Sequence, residues 1–440
     1  MSNETNFGHF KIPKKTKRKG PKSFPDFTDK YFNPPLLDES FNRDIAWVLV
    51  GYLGKNFIEE VNIETSSEVI GNTGSWTAFM KDTASAETVK CKLDYFPVVP
   101  FTPSDNIIKW YMDMMIQLAD DLEIDYMFVH SDEAIHSKLS MIKWLYEGRY
   151  DKLLPLIGGF HTLLVYLKIL HKKYGCTGIQ EWWVGSRAIQ LGSVAQAIEG
   201  RHYYRGIKLH KQSFNSLMRC KIDKHLPMNM DIKRAIADLR LETNASNLDK
   251  LLQLDPFQQY CKDIMVTPSG TQAQMMLQYV KDVSCMLALI FSVREKVVEL
   301  HVAAERKMLP KLFAFDHMNY ARYLTIQQVD FQKMEILNGN AWEDLKSNGF
   351  GGSLTGDKFS TVHGDLITET TINREVKVRG GPMQGGYSTS LKTTDAFIKT
   401  SHLMAKIRRK VKDRLKILTT SVHKELSPGA RRQQTTGVIL

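Results

Sequence analysis

The stretch Asp125–His161, "DYMFVHSDEAIHSKLSMIKWLYEGRYDKLLPLIGGFH", places two short apolar runs on either side of an amphipathic segment. "DYMFVH" reads as a strand that ends directly on Ser131 and Asp132, and "LLPLIG" reads as a second buried strand that ends on "GGFH". The intervening "EAIHSKLSMIKWLYEG" has helical spacing, with Asp132 placed to cap it. Strand, helix, strand and then the helix "TLLVYLKILHKKYG" argue for an α/β core. In an open α/β sheet the carboxyl ends of the strands are where ligands bind, so Asp132 is a candidate site residue as well as a cap.

Outward from this stretch the signals divide the chain. Residues 1–38 form a basic tail expected to be disordered, in which Lys14, Lys15, Lys17, Arg18 and Lys19 are interrupted by prolines. Such a cluster suits a nuclear import receptor or phosphate contact, and equally a solvated tail. Residues 39–175 are read as the first part of the α/β core and 176–310 as a helical insertion with almost no strand signal. Within the insertion, "TQAQMMLQYVKDVSCMLALIFSVREKVVELHVAAERKML" sustains a helical period for about ten turns. Residues 311–398 are read as the second part of the core, and 399–440 as a basic helix and tail.

The 440 residues carry 59 Lys and Arg against 48 Asp and Glu, and the excess sits mainly at the two ends. The longest apolar run, "VSCMLALIFSV" from Val283 to Val293, is about half of the roughly 20 residues a membrane span needs. It reads as a buried helix, so no membrane partner is expected. The polar and basic N-terminus lacks the apolar segment of a secretory signal, and secretion is not expected. Five widely separated cysteines fit a reducing compartment better than a disulfide framework or a zinc site.

Two further clusters of polar residues bear on chemistry. In "FAFDHMNYARYL", Asp316 follows a short apolar run and is succeeded by His317, Asn319, Tyr320 and Arg322, which reads as a site or as a hydrogen-bonded structural network. In "HGDLITETTINREVK", Asp365, Glu369, Asn373 and Lys377 share one stripe if the segment is helical. Two acids at that spacing repel, and a Mg²⁺ ion held by carboxylates and phosphate oxygens would offset them, as would pairing with Arg374 and Lys377. His161 in "GGFH" reads as a core hydrogen-bonding residue. "GRHYYRGIKLHK" interleaves Arg201, Arg205, Lys208 and Lys211 with aromatics, as phosphate contact with base stacking requires, or as an aromatic anchor with surface charges.

At "SDEAIHSK", "GGFH", "YYRGIKLHK", "ERKMLPKLFAFDHMNYARYL" and "DLITETTINREVK" the chain resembles a family of transposon-derived, transposase-like proteins of animal genomes, and more distantly a fungal family of unknown function. The resemblance implies a ribonuclease H-like α/β core split by a large helical insertion. It implies a nuclear protein that binds DNA, with Asp132, Asp316 and Glu369 as catalytic acids holding Mg²⁺ for strand cleavage or transfer, and Asp365 as a further metal ligand. Asp82 and Asp94 are alternative third acids on fold analogy. Arg201, Arg205, Lys208, Lys211, Arg374, Lys377, Arg408, Arg409 and Lys410 would contact nucleic acid. Thr370 and Tyr323 stand where the family pattern tends to have Gln and Trp, and no zinc-binding module precedes the core. A catalytically inactive nucleic-acid-binding or scaffold protein is the alternative; a homo-oligomer is compatible with either.

Overall fold

The computed structural model describes residues 29–63, 74–90, 105–198, 203–225 and 227–370. In chain order its first elements are α1 Asp29–Phe32, α2 Leu36–Tyr52, α3 Gly54–Glu60, α4 Trp76–Asp82 and α5 Asp105–Asp121. Then come β1 Met127–Ser131, α6 Glu133–Leu145, β2 Leu153–Ile157 and α7 Gly159–Tyr174. A helical stretch follows a 3₁₀ turn, with α8 Ile179–Gly185, α9 Leu191–Ile198, α10 Tyr203–Ile222, α11 Met230–Leu241 and α12 Ala245–Gln253. It continues through α13 Asp255–Ile264, α14 Thr271–Arg294, α15 Val298–Ala314, α16 Met318–Leu337 and α17 Gly339–Asn348. The last elements are β3 Gly351–Gly352, β4 Val362–His363 and α18 Gly364–Thr370.

Contacts divide the chain into two compact units. In the first, made within residues 92–158 and from 364 onward, β1 and β2 pair in parallel, Met127 opposite Leu153 and Ser131 opposite Ile157. These are the two strands expected from the apolar runs. Pro155, opposite Val129, lacks an amide hydrogen and so suits a strand bordered by solvent or side chains rather than by another ladder. Ile108 and Met112 of α5, Leu139 and Ile142 of α6, and Tyr150 and Leu153 form the buried core of this unit.

The second unit, residues 23–91 and 159–363, is helical. Helix α14 is its axis, packed against α2, α7, α10 and α15. By length and composition α14 could cross a membrane, but 83% of its most apolar window is buried within the fold, which makes it a core helix. The long periodic stretch is two helices rather than one. Lys296 adopts a left-handed conformation (φ 57°) between α14 and α15, and the Val297 amide donates to Ser292 O at 2.8 Å to close the first helix. Glu295 is fixed at this turn by accepting hydrogen bonds from the Ser85 and Ala86 amides at 3.0 and 3.2 Å.

The ribonuclease H-like α/β core with a helical insertion is therefore corrected. Among the described residues there are only two sheets, each of two strands, and the fold is mostly helical. The physical reason lies in the short apolar runs, whose length suits either element until a partner surface is known. "SWTAFMKD", taken as a source of strand acids, is helix α4 and its cap, and Asp82 ends that helix. "KLFAFDHMNYARYL" is the end of α15, a turn and the start of α16, and α15 packs against α16, with Leu312 buried and Phe313 exposed.

Two buried carboxylates set the helix arrangement. Asp282 of α14 is fully buried and accepts from Lys173 Nζ at 2.8 Å, Tyr174 Oη at 2.7 Å and Gln278 Nε2 at 3.0 Å, with Lys311 Nζ 3.1 Å away. Burial pushes its pKa up, but the charges of Lys311 and Lys173 outweigh burial and hold the carboxyl below its ordinary range. Asp44 of α2 accepts from Trp76 Nε1 of α4 at 2.8 Å and from Ser284 Oγ of α14 at 3.1 Å. Burial raises it to about 7, against the hydrogen bonds that favour its ionised form.

Replacing Asp282 by Ala leaves Lys173 and Lys311 without their shared carboxylate, and the expected cost is about 3–5 kcal/mol of unfolding free energy in urea. Apolar replacement of all three, Asp282→Leu with Lys173→Met and Lys311→Met, is expected to recover much of that loss. A single-variant loss below about 1 kcal/mol would show that the network does not hold α14 in place.

Candidate functional site

In the first unit the sequence brings polar groups to the carboxyl edge of the β1–β2 pair. The Gly158 amide donates to Ser131 O at 2.7 Å, so the parallel pairing runs to the last residues of both strands. Asp132 follows β1 in extended conformation, and its Oδ1 accepts the Ile135 amide at 2.9 Å as the N-cap of α6. One of its oxygens is thus engaged in holding the helix start.

Asp365 enters from α18, which packs on β1. It is buried in the first turn of that helix, and its Oδ2 lies 2.1 Å from the position a Cβ would take on Gly158. Only glycine leaves room for this carboxylate at the end of β2. The neighbouring glycines obey the same rule within their own units. A Cβ on Gly364 would stand 3.1 Å from the His130 ring, and one on Gly159 would stand 2.2 Å from His363 Nδ1. Each close approach lies within one unit, Gly158 with Asp365 in the first and Gly159 with His363 in the second.

Glu369 lies one turn beyond Asp365 on α18 and is half-buried, so the helical stripe expected for this pair is formed. Asp316 belongs to the second unit, is exposed, and occupies the turn between α15 and α16 with φ 62°. Among the described residues no group of three or more His, Cys, Asp and Glu side chains is arranged to hold a metal ion. Asp132 caps α6 and Asp365 is packed on Gly158, so each of these two carboxylates has a place in the local fold.

The candidate nucleic-acid residues also separate. Arg205 and Lys208 are exposed on α10, three residues apart on one face. Lys211 on the same helix is turned inward: its Nζ stands 3.9 Å from the centroid of the Trp76 ring and donates to Thr77 Oγ1 at 3.2 Å. Burial, then the charge of Arg294, lower its pKa to about 7 against the pull of Asp44. His161 sits on α7, with its ring edge-on to Phe160. Asp94, Lys14, Lys15, Lys17, Arg18, Lys19, Arg201, Arg374, Lys377, Arg408, Arg409 and Lys410 lie outside the described residues.

Several buried polar residues escaped the reading of the sequence. His301 and Glu305 stand four apart on α15, Nε2 to Oε1 at 3.3 Å, and Glu305 also accepts from Gln328 Nε2 at 2.9 Å. His301 stacks on Phe350 with ring centroids 3.8 Å apart and lies 5.7 Å from the His363 ring. The signal was present as "HVAAE", a pair of titratable residues on the apolar face of a helix. His136 of α6 is buried beneath β2, where burial lowers its pKa to about 4 despite a hydrogen bond with the Leu156 backbone.

Two outcomes follow for the first unit. Gly158→Ala is expected to destabilise it by about 1–3 kcal/mol through overpacking, and adding Asp365→Ala should return part of that loss; additive losses in a thermal-unfolding cycle would refute the contact. His136 is neutral when folded, with a pKa below the ordinary 6.5, so the unfolded chain binds more protons between pH 6.5 and 4. Its contribution is complete above pH 6.5 and is lost as pH falls, by up to roughly 1.4 kcal/mol per unit. His136→Leu is expected to flatten that acid limb in denaturation curves measured across the window.

No curated protein matches the chain, and no solved structure matches it. A family model covers residues 75–438, well over half of the chain. The chain belongs to the family defined by that model, whose description is a domain of unknown function (DUF8702).

Proposed function

We propose that this is a transposon-derived nuclear protein that binds DNA through basic segments flanking a helical body. The observation that carries the reading is the distribution of charge. The chain has a formal net charge of +11, and the excess is concentrated before residue 39 and after residue 398, in runs such as "KIPKKTKRKG" and "KIRRKVKDRLK". Lysine and arginine in such density neutralise phosphates and release their counterions, which is the main source of affinity without base contacts. Exposed Arg205 and Lys208 on α10, beside the exposed Tyr204, offer a further patch where cations and an aromatic ring meet.

Binding rather than strand cleavage is the part of the expected activity that these residues support. Asp132 and Asp365 converge on the edge of one parallel pair, where they serve the local fold, and Asp316 belongs to the other unit. The basic cluster at Lys14, Lys15, Lys17, Arg18 and Lys19 supplies the address that a nuclear import receptor would read.

Affinity of the full chain for duplex DNA, measured by fluorescence anisotropy, is expected to fall with salt at a slope of about −0.9 per phosphate neutralised. Deleting residues 399–440 should weaken binding and make the slope shallower, whereas affinity independent of salt would refute the electrostatic reading. Nicking of end-bearing DNA that requires Mg²⁺ or Mn²⁺ and disappears in Asp132→Ala would replace binding with strand cleavage as the function.

A further inference from the structure

A cavity of about 440 Å³ opens in the second unit between the C-terminal part of α10, the connection at 265–270 and the first half of α14. Its volume lies within the range of small-molecule sites. Its inner wall is apolar, made by the buried Met218, Leu277 and Val280 with Leu217 and Met276 beside them. Its rim is cationic. Lys221, Lys224 and His225, at the end of α10 and its exit, all line the opening, and Lys221 donates to Val266 O at 3.1 Å.

The geometry points to a binding site for a small amphiphile with an anionic head, a carboxylate or a phosphate, whose apolar body enters the cavity while its head meets Lys221, Lys224 and His225. An apolar wall alone would take any greasy molecule, and a basic rim alone would take any anion. Both features line one concavity, so a ligand carrying both groups gains from each. The rim also gathers like charge. Burial lowers the pKa of Lys221, and the charges of Lys224 and Lys281 lower it further. An anion seated there relieves that repulsion, while a cation of the same length adds to it. This site is independent of the proposed DNA binding, which rests on the basic ends and on α10 residues about four turns nearer its start than Lys221.

Cys220 makes occupancy measurable without knowing the natural ligand. It is an exposed free thiol lining the cavity, whereas Cys176, also free and exposed, does not line it and serves as an internal reference. The test is the rate of iodoacetamide modification of each thiol in the full chain, followed by peptide mass spectrometry, with decanoate, decyl phosphate, decyltrimethylammonium and inorganic phosphate as probes. Modification of Cys220 is expected to slow about tenfold when decanoate or decyl phosphate exceeds its dissociation constant by about tenfold, with Cys176 unchanged. The better of the two identifies the head group.

Lys221→Glu with Lys224→Glu should abolish the protection. Ala273→Trp, which fills the cavity from α14, should do the same with the basic rim intact, provided both variants keep the circular dichroism of the parent. Equal protection by decyltrimethylammonium, full protection by inorganic phosphate alone, or no protection of Cys220 beyond that of Cys176 would each overturn the proposal.

Discussion

The structure turns on a charged residue placed where an apolar helix is most deeply buried. Asp282 stands at the start of the run that makes α14 the axis of the larger unit, and it is fully buried. An isolated carboxylate there would cost several kcal/mol. Lys173 and Tyr174 from α7 and Lys311 from α15 remove that penalty only if all three helices meet at one height. The requirement is geometric, so it fixes the register of packed helices, which apolar contacts alone leave loosely specified. Asp44 repeats the device one step along, joining α2 and α4 to α14 through Trp76 and Ser284.

Packing of a different kind defines the edge of the β1–β2 pair. The missing side chain of Gly158 accommodates the Asp365 carboxylate, and in the other unit Gly159 does so for His363. A chain with ordinary residues at either position would have to push "HGD" away from its place. Each glycine and the side chain it admits therefore form one constraint within their own unit, written at two distant points of the sequence. This gives Asp365 a structural role at the end of β2.

Function is accordingly read from surfaces more than from buried acids. The body keeps its charges in networks that satisfy one another, as with Glu305 between His301, Gln327 and Gln328. Basic residues outside these networks include the exposed Arg205 and Lys208 and those lining the α10–α14 cavity, and the sequence is dense in them at its two ends. At the ends the basic residues come in dense runs such as "KIPKKTKRKG" and "KIRRKVKDRLK". Charge on the rim is confined beside an apolar wall, suited to one small head group.

The sequence by itself determined what depends on neighbours a few residues away. The two strands of "DYMFVHSDEAIHSK…LLPLIGGFH", the cap by Asp132 and the helical stripe of Asp365 and Glu369 are all local, and all are present. The sustained period across 271–309 likewise specified helix, but not its break at Lys296, where the turn is held by Glu295 bonding to Ser85 and Ala86, some 210 residues earlier. Only the tertiary structure decided whether "SWTAFMKD" and "KLFAF" would be strand or helix, because a short apolar run takes the form that its covering partner permits. It alone turned Lys211 inward against Trp76 while leaving Lys208 in solvent. Burial and pairing are properties of distant contacts such as Asp44 with Ser284, 240 positions apart, and no spacing along the chain encodes them.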